Sequence, residues 1–150
     1  KGKFWAEILK ERWSKKFPIL NKRVIFTKKL SLLEFFSLSS CVDVLLIPTH
    51  FGGGNTSLEA MMFGTPSITM SGDYLRTNIT SAIYKQMKIA NPPIAKNIKE
   101  YIELAIKYGK NAKENKLLRE KSKKSANKYL FKSNKALKEF EKVLEDVAVD

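Results

Sequence analysis

One run, His50-Phe51-Gly52-Gly53-Gly54-Asn55-Thr56-Ser57-Leu58-Glu59, combines glycines, small hydroxyl and amide side chains, an imidazole and a carboxylate within ten residues. Glycines let a backbone approach an oxyanion without Cβ obstruction. A helix opening at Asn55 or Thr56 would aim free N–H groups and the positive end of its dipole at a negative charge. Glu59 follows Asn55 by four residues, one helical turn, and so can reach hydroxyl groups beside a bound phosphate. Glycine turn, helix start and acid one turn later together suit a nucleotide diphosphate. A second turn, Ser71-Gly72-Asp73, precedes Arg76 and a helix expected from Asn78 to Met87, giving the same anion a second helix end and a cation.

The elements that must position these residues are legible around them. Val42–Ile47 is a nearly continuous apolar run stopped by Pro48, the pattern of a strand buried on both faces of a parallel sheet. Pro66–Met70 is the next strand, and Gly64 ends the intervening helix. Upstream, Phe4–Phe17 has helical apolar spacing, Arg23–Thr27 is short and β-branched, and Leu30–Ser39 reads as a helix with Ser31 and Glu34 as a capping box. The alternation of strand and helix predicts an α/β fold, a Rossmann-like parallel sheet with flanking helices, whose ligand crevice lies at the carboxyl ends of the strands. Both glycine-bearing turns fall at those ends. After Pro92-Pro93 three helices are expected, near 97–108, 112–126 and 133–147, forming a helical C-terminal tail. The last carries Leu137, Phe140, Leu144 and Val147 on one face, with Ser133 or Asn134 as N-cap. That face is expected to pack on the sheet of the same domain or on a partner domain.

Composition narrows the function classes. With 150 residues and 43% hydrophobic content the chain can bury a core. It has no apolar run of membrane-span length and no signal-peptide pattern at its start. The single Cys41 can form no intrachain disulfide, fits a reducing cytoplasmic compartment, and is expected to be a small buried hydrophobe. Net charge is +13, but residues 30–95 contain only Arg76, Lys85 and Lys88 as basic groups. The charge therefore lies outside the conspicuous motif, and lysine predominates where phosphate recognition would favour arginine, so a solvated basic face is expected rather than a nucleic-acid site. There is no Asp-x-Asp metal motif and no His or Cys cluster.

The strings Pro48 to Ala60, Gly64-Thr65-Pro66, Ser71 to Arg76 and Tyr84-Lys85-Gln86-Met87 resemble the O-GlcNAc-transferase-like (SPINDLY-type) glycosyltransferases of bacteria. That family also includes cytosolic protein N-glucosyltransferases. Similarity continues through Arg23–Phe26, Val42-Asp43-Val44, Glu100-Tyr101-Ile102 and Tyr129–Val147, and so covers nearly the whole chain. The resemblance implies most of the C-terminal domain of a GT-B enzyme, with residues 1–95 as a Rossmann-like core and 96–150 as a helical segment. It further implies a missing N-terminal GT-B domain, upstream helical repeats, and a fragment inactive on its own.

The implied reaction is inverting transfer of GlcNAc or a hexose from a UDP-sugar to Ser, Thr or Asn of a protein acceptor, in the cytoplasm, with no cofactor and no obligatory metal. The donor-binding positions implied by the resemblance are Gly53, Gly54, Asn55, Thr56 and Ser57 for the diphosphate, Glu59 for the ribose, Arg76 for an anion, and the backbone around Lys29 and Leu30 for the uracil. His50 matches a family histidine near the pyrophosphate or sugar. No catalytic base is assigned. Departures include Ile47-Pro48-Thr49 in place of Asp-Pro-Phe and Asn78 where a second basic residue often stands. Two rivals remain at this point: another GT-B enzyme, such as a nucleotide-sugar epimerase or a glycan-extending transferase, and a non-catalytic lysine-rich module for nucleic acid or an anionic surface.

Overall fold

The computed structural model of the chain describes residues 2–132 and 134–148. Its contacts divide it into two units, Lys1–Glu34 and Phe35–Asp150.

In the first unit, helix α1 (Gly2–Lys16) is followed by the short α2 (Pro18–Asn21) and an irregular segment. The Trp13 and Phe26 rings stack at 5.8 Å, and Lys10 Nζ lies 5.3 Å from the Phe26 ring centroid. The strand expected at Arg23–Thr27 is not formed. Within this unit no second strand is present to accept its ladder, and its first two N–H groups are spent on turn bonds, Arg23 to Leu20 O and Val24 to Asn21 O. Helix α3 (Leu32–Cys41) begins with the expected capping box. Glu34 N–H donates to Ser31 Oγ (3.3 Å) and Ser31 N–H to Glu34 Oε2 (2.7 Å), which holds the Glu34 carboxyl below the usual range.

The second unit contains a three-stranded parallel sheet in the order β1 (Leu45–Leu46), β2 (Ser67–Met70), β3 (Ile94–Ala95), with Leu45 opposite Ser67 and Thr69 opposite Ile94. The connections carry α4 (Asn55–Met62) and α5 (Leu75–Gln86). Helices α6 (Ile98–Lys110), α7 (Ala112–Ala126), a π-helical turn (Asn127–Phe131) and α8 (Lys135–Ala148) complete it. The α/β expectation is thus met, with corrections. The strand at 42–47 shrinks to two residues, and Leu46 is 52% exposed. As an edge strand within its unit, β1 pairs on one side only. Cys41, expected to be buried, is exposed at the C-terminal end of α3. Helix α5 begins three residues before Asn78, and β3 follows Pro92-Pro93 where only helices were foreseen.

Two apolar clusters flank the sheet. Met61, Ile83, Tyr84, Met87 and Ala126 form one; Ile68, Tyr108 and Leu118 form the other. Tyr84 is fully buried, which pushes its phenol far above the usual range, and its oxygen accepts from Ser67 N–H (2.9 Å) at the start of β2. Tyr101 OH donates to Ile47 O (2.9 Å) at the end of β1. Helix α8 does not pack on this sheet as one expectation had it: Leu137, Phe140, Val143, Leu144 and Val147 are each more than half exposed. Ser133, offered as an N-cap for α8, lies outside the described residues.

Helix α7 fastens the far end of the sheet. Asn115 Nδ2 donates to Asp43 O (2.8 Å) and Tyr108 O (2.7 Å). The Arg119 guanidinium reaches Asn115 Oδ1 (2.9 Å), Ser40 O (3.2 Å), Thr65 Oγ1 (3.3 Å) and Val42 O. Gly64 ends the α4 region at φ +71°, and a Cβ there would overlap the Arg119 carbonyl oxygen. Gly64→Ala is therefore expected to lower stability by about 1–2 kcal/mol from the left-handed backbone alone, with the clash adding to it. Thermal unfolding checks this, and an unchanged melting temperature would contradict the close approach of α4 and α7.

Candidate functional site

The β1–α4 and β2–α5 connections leave the carboxyl ends of adjacent parallel strands and are tied to each other. Gly52 N–H donates to Arg76 O (2.8 Å), and Arg76 Nε donates to His50 O (3.3 Å). The Arg76 guanidinium also lies over the Tyr74 ring, 4.3 Å from its centroid. Within the second loop the Asn78 amide staples the turn: its Nδ2 donates to Gly72 O (2.6 Å) and Tyr74 O (3.0 Å), while its Oδ1 accepts from Gly72 N–H (3.2 Å). Asn78 was weighed in the sequence as a lost cation; here it shapes the turn that presents Arg76.

Five helix starts contrast in how they are capped. Helices α3, α6 and α7 start on side-chain caps, Ser31, Asn97 and Asn111, each with a glutamate in the first turn. Helices α4 and α5 start on Gly54 and Tyr74 with no side-chain cap and no acid in the first turn. Orphan N–H groups at a helix start need partners. Among the described residues the N–H groups of Gly53, Gly54, Asn55 and Thr56 donate to no other protein group. Asn55 and Thr56 are exposed, and Glu59 is half-buried on the same helical face as Asn55. Arg76 occupies the first turn of α5, where a cation opposes the helix dipole, so its placement is locally unfavourable unless an anion joins it.

The three glycines have different reasons to be glycine. A Cβ on Gly52 would come within 2.9 Å of Arg76 O, and one on Gly53 within 2.7 Å of Ser57 Oγ; one on Gly54 would meet nothing within 4 Å. Protein packing thus requires glycine at 52 and 53, and only Gly54 leaves open space at the helix start. Ser57, grouped in the sequence with the diphosphate contacts, is fully buried, and its Oγ bonds Thr80 Oγ1 at 2.8 Å. Its hydroxyl holds the loop from inside. Thr80, itself fully buried on α5, carried no sequence signal beyond being a polar residue in a helix that packs on the sheet.

The structure therefore brings Gly53, Gly54, Asn55, Thr56, Glu59, His50 and Arg76 to one pair of adjoining loops or to the helices they start. Lys29 and Leu30 lie in the first unit, in irregular backbone; Lys29 is exposed and lines a groove with Trp5, Leu9, Lys10 and Phe26. Among the described residues no three His, Cys, Asp or Glu side chains converge as a metal-ligand set, and no helix is long and apolar enough to cross a membrane.

No curated protein matches the chain. Among solved structures, a mutant of the Thermobaculum terrenum O-GlcNAc transferase is similar, with 21% identity over 95% of this chain and a TM-score of 0.78. The matched stretch spans 26% of that longer chain. At that identity the likeness speaks for the fold, a GT-B C-terminal domain. The family model of glycosyl transferase family 41 matches residues 5–140, nearly the full length, and the chain belongs to that family.

Proposed function

We propose that this chain is the donor-binding part of a cytoplasmic, inverting, UDP-sugar-dependent glycosyltransferase that moves GlcNAc or a hexose to Ser, Thr or Asn of a protein. One observation carries the reading: two helix starts without a side-chain cap, α4 and α5, stand at the carboxyl ends of adjacent strands, with free N–H groups and an arginine where an anion would bind. The family match and the O-GlcNAc transferase activity named for the similar Thermobaculum structure support the reaction class.

In this reading the diphosphate lies against the N–H groups of Gly53, Gly54, Asn55 and Thr56, with the Asn55 and Thr56 side chains as further donors. Glu59 accepts from ribose hydroxyls. Recognition of uracil is assigned to the backbone at Lys29 and Leu30. Departure of UDP concentrates negative charge on the leaving phosphate, and fixed dipoles with Arg76 and His50 stabilise that charge without reorganising. No cofactor and no obligatory metal is part of the proposal. The acceptor-side domain and the upstream helical repeats are its remaining partners.

Titration of the chain with UDP, followed by backbone amide NMR with and without magnesium, tests the reading. Metal-independent shifts centred on Gly53–Glu59 are expected, and a well-dispersed spectrum with no shifts would overturn it. Glu59→Ala is expected to weaken UDP by about 1–3 kcal/mol through loss of charge-assisted hydrogen bonds, measured by calorimetry; unchanged affinity with the fold intact removes Glu59 from the ribose.

The unequal glycines give a second test. Gly53→Ala is expected to cost more thermal stability than Gly54→Ala, because only the former meets a buried oxygen. Gly54→Val is expected to abolish UDP binding while the chain still unfolds cooperatively. Normal UDP binding by Gly54→Val would count against the loop as the phosphate cradle.

A further inference from the structure

We infer that Thr80 is a positioning residue of the diphosphate loop, and that it works by fixing the orientation of the Gly53–Gly54 peptide. The inference rests on the donor-binding reading and names a residue that makes no ligand contact. Thr80 Oγ1 is bonded to Ser57 Oγ at 2.8 Å and lies 3.4 Å from Gly53 O, the looser of the two links. Thr80 has one hydroxyl proton. Because the Gly53 carbonyl can only accept, that proton goes to Gly53 O, and Ser57 must then donate to Thr80. The relay therefore runs in one direction, from Ser57 to Thr80 to the Gly53 carbonyl.

The consequence lies on the other side of the same peptide. The described backbone contains no cis bonds, and in a trans peptide C=O and N–H point in opposite directions. Holding the Gly53 carbonyl inward, toward buried Thr80, turns the Gly54 N–H outward to the start of α4. That N–H is one of the donors left without a protein partner. Ser57 Oγ reinforces the setting by occupying the volume that a Gly53 side chain would need. The loop belongs to α4 and Thr80 to α5, so the orientation of one donor depends on the packing of the neighbouring helix. A preoriented donor spares a ligand the cost of ordering it.

Thr80→Val keeps the shape of the side chain and removes the hydroxyl; Thr80→Ser keeps the hydroxyl. Residual dipolar couplings report the direction of the Gly54 N–H vector in the ligand-free chain, and calorimetry reports UDP affinity. In Thr80→Val the Gly54 coupling is expected to move while those of β2 and α6 stay, and UDP affinity is expected to fall about tenfold, the scale of one hydrogen bond to a charged group. Thr80→Ser is expected to restore both. Should Thr80→Val fail to fold, Thr80→Ala removes the same hydroxyl without adding a methyl group against Ser57 and is expected to shift both readouts in the same direction. An unchanged Gly54 coupling, or unchanged affinity beside a wild type that binds UDP, overturns the positioning role alone. A wild-type chain that leaves UDP unbound overturns the donor-binding reading, and the positioning role with it.

Discussion

The Arg119 guanidinium pairs two backbone carbonyls at the end of α3, Ser40 O and Val42 O, and reaches the Thr65 hydroxyl just ahead of β2. Helix α3 finishes at Cys41, and its last carbonyls have no intrahelical donor. Arg119 donates to Ser40 O and Val42 O, and also to the Thr65 hydroxyl, which in turn donates to Ser39 O (2.7 Å). A cation at the negative end of a helix dipole adds to these bonds. The same side chain thus fixes the end of α3, the approach to β1 and the turn from α4 into β2. Strands whose starting points are fixed deliver their carboxyl ends in register, and the two ligand-facing loops grow from those ends. Asn115, one turn earlier on α7, extends the arrangement to Asp43 and to the end of α6. Removing the guanidinium would leave the half-buried Ser40 and Val42 carbonyls without this donor, and a lysine, with no planar fork, would not span the same set of acceptors.

Several departures from local folding rules come together at the two loops, while elsewhere Thr69 Oγ1 and Ser122 Oγ are buried without a partner. Away from the loops, α3, α6 and α7 have caps and first-turn acids, Tyr84 and Tyr101 bond the backbone of β2 and β1, and Asn115 is satisfied on both its polar atoms. At the loops, two helices start uncapped, an arginine stands at a positive helix end, and Phe51, Tyr74 and Leu75 are well exposed. Sequences tend to violate folding rules where function requires it. The N–H groups at the start of α4 and the Arg76 guanidinium are donors, and an anionic ligand rich in acceptors would satisfy them.

The sequence disclosed some of this and concealed the rest for identifiable reasons. Elements with strong punctuation were legible: the Ser31–Glu34 box, α7 between Asn111 and Ala126, and the parallel sheet implied by apolar runs between glycine turns. Boundaries failed where pairing decides them. Val42–Ile47 is apolar enough for six strand residues, yet only the stretch opposite β2 becomes strand. Ile94-Ala95 is too short a run to signal a strand until Thr69 and Met70 lie beside it. Arg119 was indistinguishable from its lysine-rich surroundings, because Leu118-Arg119-Glu120-Lys121 reads as one more charged helix face. The glycines at 52, 53 and 54 likewise look equivalent in sequence, and only their neighbours in space separate packing from ligand access. Thr80 could not be found from sequence at all, since its partners lie 23 and 27 residues away.

Charge distribution then constrains how an anion could be held. Residues 30–95 contain three basic and four acidic side chains, so the stretch that carries both loops contributes no net positive charge of its own. Within that stretch, attraction for an anion comes from oriented N–H groups and Arg76 at short range. Short-range dipoles in a structured loop are little affected by salt, whereas the exposed lysines of α6 to α8 are screened within about 8–10 Å at ordinary ionic strength. A loop that recognises a diphosphate by orientation needs its donors set in advance. That places the burden on the buried hydroxyls of Ser57 and Thr80, which are fixed by packing between α4 and α5, and on the Asn78 staple inside the second loop.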